Sequence, residues 1–174
     1  MASSASIRHR HTSMFKSQEV PVSRVQLALN VNDIDEAVAF YRKLFGAEPA
    51  KRRPGYANFA VTEPPLKLVL LERPGMGGSL NHLGVEVSDI GTVDAEQARL
   101  AESGLASVDE RATTCCYAKQ DKFWVRDTPD GESWEFYTVL ADSQTFYGEE
   151  GGTACCGGAA AEPSEATASA GPCC

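Results

Sequence analysis

Apolar and polar positions along residues 24–140 fall into short runs that recur in a fixed order. Arg24–Val31 alternates with a period of two, which predicts a strand with one buried face. Asp33 stands where a helix N-cap belongs. Ala37, Phe40, Tyr41 and Leu44 then recur at three-to-four spacing and predict a helix that Gly46 ends. Strands are predicted over residues 56–62 and Leu66–Glu72, separated by the turn Glu63-Pro64-Pro65. Residues 74–78, three of them Gly, read as a flexible linker.

The same order then restarts. A strand is predicted over 82–87, a helix over 92–104, and strands over 107–113, 122–126 and 132–140. The turn Pro129-Asp130-Gly131 joins the last two. Laying residues 26–34 over residues 82–90 aligns Gln26 with His82, Val31 with Val87, Asp33 with Asp89 and Ile34 with Ile90. Gly46 falls near Gly104 with a short slip. Two tandem βαβββ modules, 24–73 and 81–140, are the simplest reading. The expected fold is α+β, with a mixed sheet curled around a shared metal-binding cup. One chain supplies both modules, so a monomer suffices to close the cup.

Composition narrows the setting. The chain has 174 residues and is 43% apolar, enough for one compact domain, placed here at 23–146. Residues 1–22 read as a disordered leader in which Met14 is a second candidate start. Residues 147–174, rich in Gly, Ala and Ser, read as a disordered tail carrying Cys155, Cys156, Cys173 and Cys174. The formal net charge is −8, and from Asp127 onward there is no Lys or Arg, which argues against nucleic-acid and anionic-membrane partners. No apolar run approaches the roughly 20 residues of a membrane span. With no apolar h-region near Arg8 and Arg10, a cytoplasmic location and reduced thiols are expected.

All six cysteines occur as adjacent pairs. Adjacent cysteines rarely join to each other, but they suit a soft, thiophilic ion that takes two thiolates. Cys115 and Cys116 lie within the predicted domain. Neighbouring strand residues point to opposite faces, so both thiols can reach one ion only at a bend, and a mobile loop is expected there. The alternative is a pair of small buried residues, one on each face of a strand. His82 is the one histidine in the domain; His9 and His11 lie in the leader. It opens a strand and aligns with Gln26. Glu135 sits between Trp134 and Phe136, so its side chain faces away from theirs, and a carboxylate facing an interior needs a cation or donor. In the corresponding part of the first module, Leu66 to Leu70, that place is filled by an apolar residue and no carboxylate occurs. A solvent-facing Glu on an edge strand is the plainer alternative. Tyr117 and Tyr137 are candidates for acid–base work or for core packing.

The twin βαβββ pattern, the strand Asn81-His82-Leu83-Gly84-Val85-Glu86-Val87 and the closing residues 127–137 resemble the vicinal oxygen chelate superfamily of glyoxalases and extradiol dioxygenases. Gln26, His82, Glu135 and the word Thr113-Thr114-Cys115-Cys116-Tyr117 look like the organoarsenical carbon–arsenic lyases, which resemble cadmium-induced proteins as well. The resemblance covers residues 24–146. It implies a non-haem Fe(II), O2-dependent enzyme that cleaves the C–As bond of trivalent organoarsenicals such as methylarsenite or reduced aromatic arsenicals, to inorganic arsenite. Carried over, Gln26, His82 and Glu135 are metal ligands and Cys115 and Cys116 hold arsenic; of the two tyrosines, Tyr137 is the catalytic candidate. An amide oxygen is a weaker donor than imidazole, so Mn, Co or Ni can take the place of Fe(II) in a preparation. Two alternatives stand beside this reading: a cadmium- or arsenic-binding protein of the same fold without turnover, and another extradiol-type dioxygenase.

Overall fold

The computed structural model describes residues 23–148. The expectations for the leader, for most of the tail and for its four cysteines lie outside the described residues. Within them the order is β1 (Arg24–Val31), α1 (Ile34–Phe45), β2 (Lys51–Arg53), β3 (Tyr56–Val61), β4 (Leu66–Glu72), β5 (Leu80–Glu86), α2 (Ile90–Glu102), β6 (Val108–Cys115), β7 (Ala118–Val125) and β8 (Trp134–Asp142). This is βαβββ twice. All eight strands form one mixed sheet in the order β2-β3-β4-β1-β5-β8-β7-β6. In each module the first strand pairs parallel with the last: β1 with β4 and β5 with β8. The modules join where β1 and β5 run antiparallel at the centre.

Local chemistry sets the element ends. The Asp33 carboxylate accepts from the backbone N–H groups of Asp35 and Glu36 and so caps α1, and Gly46 closes it in the left-handed region at φ 61°. Asp89 caps α2 through Thr92 N–H. Ala37 and Tyr41 pack against the core as expected, but the buried face is rotated from the one the spacing predicts. Ile34 and Val38 are the buried positions of α1, whereas Phe40 and Leu44 lie on its outer face, each 59% exposed. The sequence reading also lacks β2, whose three residues, Lys51, Arg52 and Arg53, carry no apolar signal.

Residues 74–78 are not a loose linker. Asn32 Oδ1 accepts from the N–H groups of Gly75 and Gly77, and Gly78 N–H bonds to Asn30 O. A Cβ on Gly77 would lie 2.6 Å from the Asn32 side chain, so a larger residue would displace the Asn32 group that holds the segment. The segment is thus pinned to the end of β1 and sets the start of β5.

Three apolar clusters hold the sheet. Val38, Phe59 and Leu70 belong to the one under α1, and Val93, Leu100 and Phe123 to the one under α2. The third, built on Ala28, Tyr56, Val69, Leu71 and Cys115, lies on the concave face. It is this third cluster that borders the polar cup.

Candidate metal and thiol site

Gln26, His82 and Glu135 come from β1, β5 and β8, three adjacent strands at the centre of the sheet, and all three are buried. Their side chains meet. The Gln26 amide NH2 lies 3.0 Å from His82 Nε2 and 2.6 Å from Glu135 Oε1, and those two acceptors are 3.2 Å apart. Tyr137 O–H donates to Gln26 Oε1 at 2.6 Å. The His82 tautomer follows from a chain of bonds. Asn81 Nδ2 donates to Asn30 Oδ1, so the Asn81 oxygen is the acceptor facing His82 Nδ1 at 2.8 Å. The ring proton therefore resides on Nδ1 and the Nε2 lone pair faces the cup.

This arrangement fits a divalent cation. An N–H2 group with partial positive charge stands between an imidazole lone pair and a carboxylate oxygen. Turned over, the same amide presents Oε1 to that point and its NH2 to the Tyr137 oxygen. Imidazole, carboxylate and amide oxygen form a mixed N/O set suited to Fe, Mn, Co or Ni. The niche left between them holds about 10 Å3, the room of a single water or ion. Among the described residues no group of three His, Cys, Asp or Glu side chains could hold a metal, so the set reaches three donors only through Gln26.

The module repeat accounts for the position of the acid. Ala28 pairs with Val69 and Gly84 with Glu135, so Val69 is the first module's copy of Glu135. Gly84 is needed for closeness. A Cβ there would meet Glu135 Cγ at 3.0 Å and Gln26 Nε2 at 3.3 Å.

Lys122 was not singled out from the sequence. Its side chain is 1% exposed, its ammonium donates to Glu135 Oε2 at 3.2 Å, and it lies 4.9 Å over the Trp124 ring. Burial alone would push the Glu135 carboxyl up, but the Lys122 charge and the hydrogen bonds around the carboxylate together outweigh it and hold the group well below the usual carboxylate range. Burial raises the Tyr137 phenol well above its ordinary value, so it remains a proton donor to Gln26. Lys67 is a second, largely covered cation on the same face, 4.8 Å over the Tyr137 ring; burial lowers its pKa against the opposing pull of Glu86. No sequence signal marks either lysine, because β4 and β7 carry buried residues on both faces.

Cys115 ends β6, and Cys116-Tyr117 forms the two-residue turn to β7, with φ of 55° and 61°. That is a mirror-image turn, the kind whose twist suits a hairpin. The bend expected from the Cys-Cys word is present, as a tight two-residue turn in place of the expected mobile loop. A bulge between Glu110 and Thr113 decides which way it faces. Up to Glu110, paired with Lys122, even-numbered residues of β6 face the cup. After the bulge, Thr113 and Cys115 pair with Gln120 and Ala118 and face it instead. The two sulfurs lie 3.1 Å apart. That exceeds the roughly 2.05 Å of a disulfide, so they are not joined to each other. Cys116 is disulfide-bonded in the structure, contrary to the expectation of reduced thiols, and chelation through both sulfurs requires reduction.

Lys51 latches the turn from β2, bonding to Tyr117 O at 2.7 Å and to Asp142. Tyr56 and Phe146 pack on the Tyr117 ring at 5.5 and 5.3 Å. The hairpin thereby closes over the cup, and Cys115, Cys116, Gln26, His82 and Glu135 line one cavity.

Paired βαβββ modules in one curled mixed sheet, with a mixed-donor niche at the seam between them, define the class of fold. The family model described as Glyoxalase/Bleomycin resistance protein/Dioxygenase superfamily matches residues 23–136, and the chain belongs to that superfamily. It is 67% identical over 125 residues to the "Cadmium-induced protein CadI" of Mycobacterium tuberculosis, covering 72% of this chain and 82% of that one. It is 56% identical over 136 residues to the "Trivalent organoarsenical cleaving enzyme" of Thermomonospora curvata, covering 78% and 89%. A protein of the same description from Bacillus sp. is 47% identical over 124 residues, covering 68% and 76%. Among the described residues no helix is long and apolar enough to cross a membrane.

Proposed function

We propose that this protein is an Fe(II)- and O2-dependent lyase that cleaves the carbon–arsenic bond of trivalent organoarsenicals and releases inorganic arsenite. The observation that carries the reading is the shared cavity, where a soft sulfur pair and a harder N/O set face each other. Each suits one half of the task. Two thiolates exchange for two oxygen or sulfur ligands on arsenic and leave the As–C bond as the remaining one. Gln26, His82 and Glu135 would hold the metal, which when bound supplies redox chemistry toward O2.

The protein's own groups do the rest. Cys115 and Cys116 fix the arsenic on a turn anchored by Lys51, turning a bimolecular encounter into a positioned one. Asn81 holds the His82 tautomer that leaves Nε2 free of a proton. Tyr137 orients the Gln26 amide and acts as a positioning residue, since its hydroxyl contacts Gln26 and not the cavity between sulfur and metal ligands. Lys122 keeps Glu135 ionised.

For methylarsenite the balance is complete: CH3As(OH)2 and O2 give As(OH)3 and CH2O. The As–C bond breaks, one oxygen atom goes to carbon and one to arsenic, and carbon gives O2 four electrons. The test is to load the reduced protein with Fe(II) without air, add methylarsenite, admit O2, and follow arsenite and formaldehyde together. Equal amounts of both, abolished in Glu135→Ala, support the lyase. The two sulfurs 3.1 Å apart also suit a second reading, a thiophilic-ion-binding protein without turnover. Binding of the arsenical with neither product supports that one.

A further inference from the structure

The concave face continues past the metal niche into a second cavity of about 220 Å3, open to solvent. The two cavities share Tyr56, Lys67, Cys116 and Gln120. An arsenic atom held at Cys116 therefore stands at the boundary, and a ligand it carries can extend into the outer chamber while the As–C bond faces inward.

The chamber is cationic in a protein whose net charge is −8. Arg24, Lys51 and Lys67 line it against the single carboxylate of Glu86. Arg24 Nε and Lys67 Nζ share Glu86 at 3.2 and 3.5 Å. Lys51 and Arg53 in the same way share Asp142, which lies outside the lining. Three lining cations thus face one lining carboxylate, and with Lys51 paired to Asp142 the positive charge still exceeds the negative. A second observation is independent of charge. Gln120 is 5% exposed, and its Oε1 has no hydrogen-bond partner among the described residues. A buried acceptor of this kind calls for an N–H or O–H donor.

We propose that this chamber is a subsite for a group bearing a carboxylate and an N–H donor, carried on arsenic by a low-molecular-weight amino-acid or peptide thiol. The inference rests on the arsenic-binding reading of Cys115 and Cys116. The arsenical arrives as its thiol adduct. The carboxylate settles among Arg24, Lys51 and Lys67, and the N–H group meets Gln120 Oε1. Once Cys116 has been reduced by a thiol, exchange forms one As–S bond to each protein cysteine and breaks one As–S bond to each carrier thiol. The cysteine protons pass to the departing thiols, and nothing is oxidised or reduced in the exchange.

The test measures the rate of transfer of methylarsenic(III) onto the full-length, reduced protein under argon. The carriers are its bis-adduct with cysteine, which has both groups, and its bis-adduct with 2-mercaptoethanol, which has neither. Transfer of each to dithiothreitol normalises intrinsic reactivity. A second arm compares 4-carboxyphenylarsenous acid with phenylarsenous acid. The expected result is transfer about tenfold faster from the cysteine adduct, the scale of one charge-assisted hydrogen bond, with the advantage lost in Arg24→Gln and Lys51→Gln. An advantage for the carboxyphenyl compound alone overturns the carrier-thiol assignment and gives the chamber to the organic substituent. No advantage in either arm, or one retained in both variants, overturns the subsite while the lyase reading stands. No uptake from any carrier overturns both.

Discussion

At the scale of single residues the site is a balance of buried charge around Glu135. The Glu135 carboxylate is held by Lys122 and by the Gln26 amide, and its folded pKa lies below the ordinary 4.5. A depressed carboxylate pKa contributes stability that is present above the unfolded value and lost as pH falls through the folded one. For metal-free protein, that contribution persists at pH 4.5 and disappears only in stronger acid. Lys122→Met removes a charge from a buried pair, and urea unfolding of the metal-free protein is expected to show a loss of about 3 kcal/mol. The acid limb of its stability profile moves upward in pH, and added Mn(II) recovers part of the loss by supplying a cation to the same carboxylate. Glu135 was legible in the sequence because a lone acid interrupts an apolar strand. Lys122 and Lys67 were not, since burial on both faces of their strands erases the period-two pattern that would mark which way they point.

At the scale of elements, backbone irregularities aim the chemistry. Gly84 on β5 lets β8 bring Glu135 against Gln26, and Gly84→Ala is expected to push those side chains apart by a few tenths of an ångström. The prediction is metal affinity reduced about tenfold with a small change in melting temperature, read by metal titration beside thermal unfolding. Asp33→Ala is the control away from the site. It removes the α1 cap and costs about 1 kcal/mol, with metal affinity unchanged. The helices and the repeat were readable from caps and periodicity. The bulge before Thr113 was not, because a bulge inserts residues without changing their type; it alone turns Cys115 toward the cup. The strand β2 was equally silent, and it supplies Lys51, which ties the cysteine turn to the first module.

At the scale of the whole molecule, duplication builds the cup and divergence fills it. The two modules share a topology, yet the first offers Gln26 and Val69 where the second offers His82 and Glu135. One niche therefore forms at the seam, and the hairpin of the second module bends back over it. If the sulfur pair and the metal ligands serve one substrate, Cys116→Ser weakens methylarsenite binding on the order of a hundredfold, the scale of a lost chelate partner. It leaves Mn(II) binding intact, and isothermal titration of both ligands checks the separation. The central claim is that a single arsenical is held by Cys115 and Cys116 while its carbon is taken. Arsenic-edge X-ray absorption of the Fe(II)-loaded, reduced protein, before and after O2, tests it most directly. The account predicts two sulfur neighbours and one carbon before O2, and afterwards loss of the carbon shell with oxygen in its place. A carbon shell unchanged by O2, or an arsenic without sulfur neighbours, would contradict it.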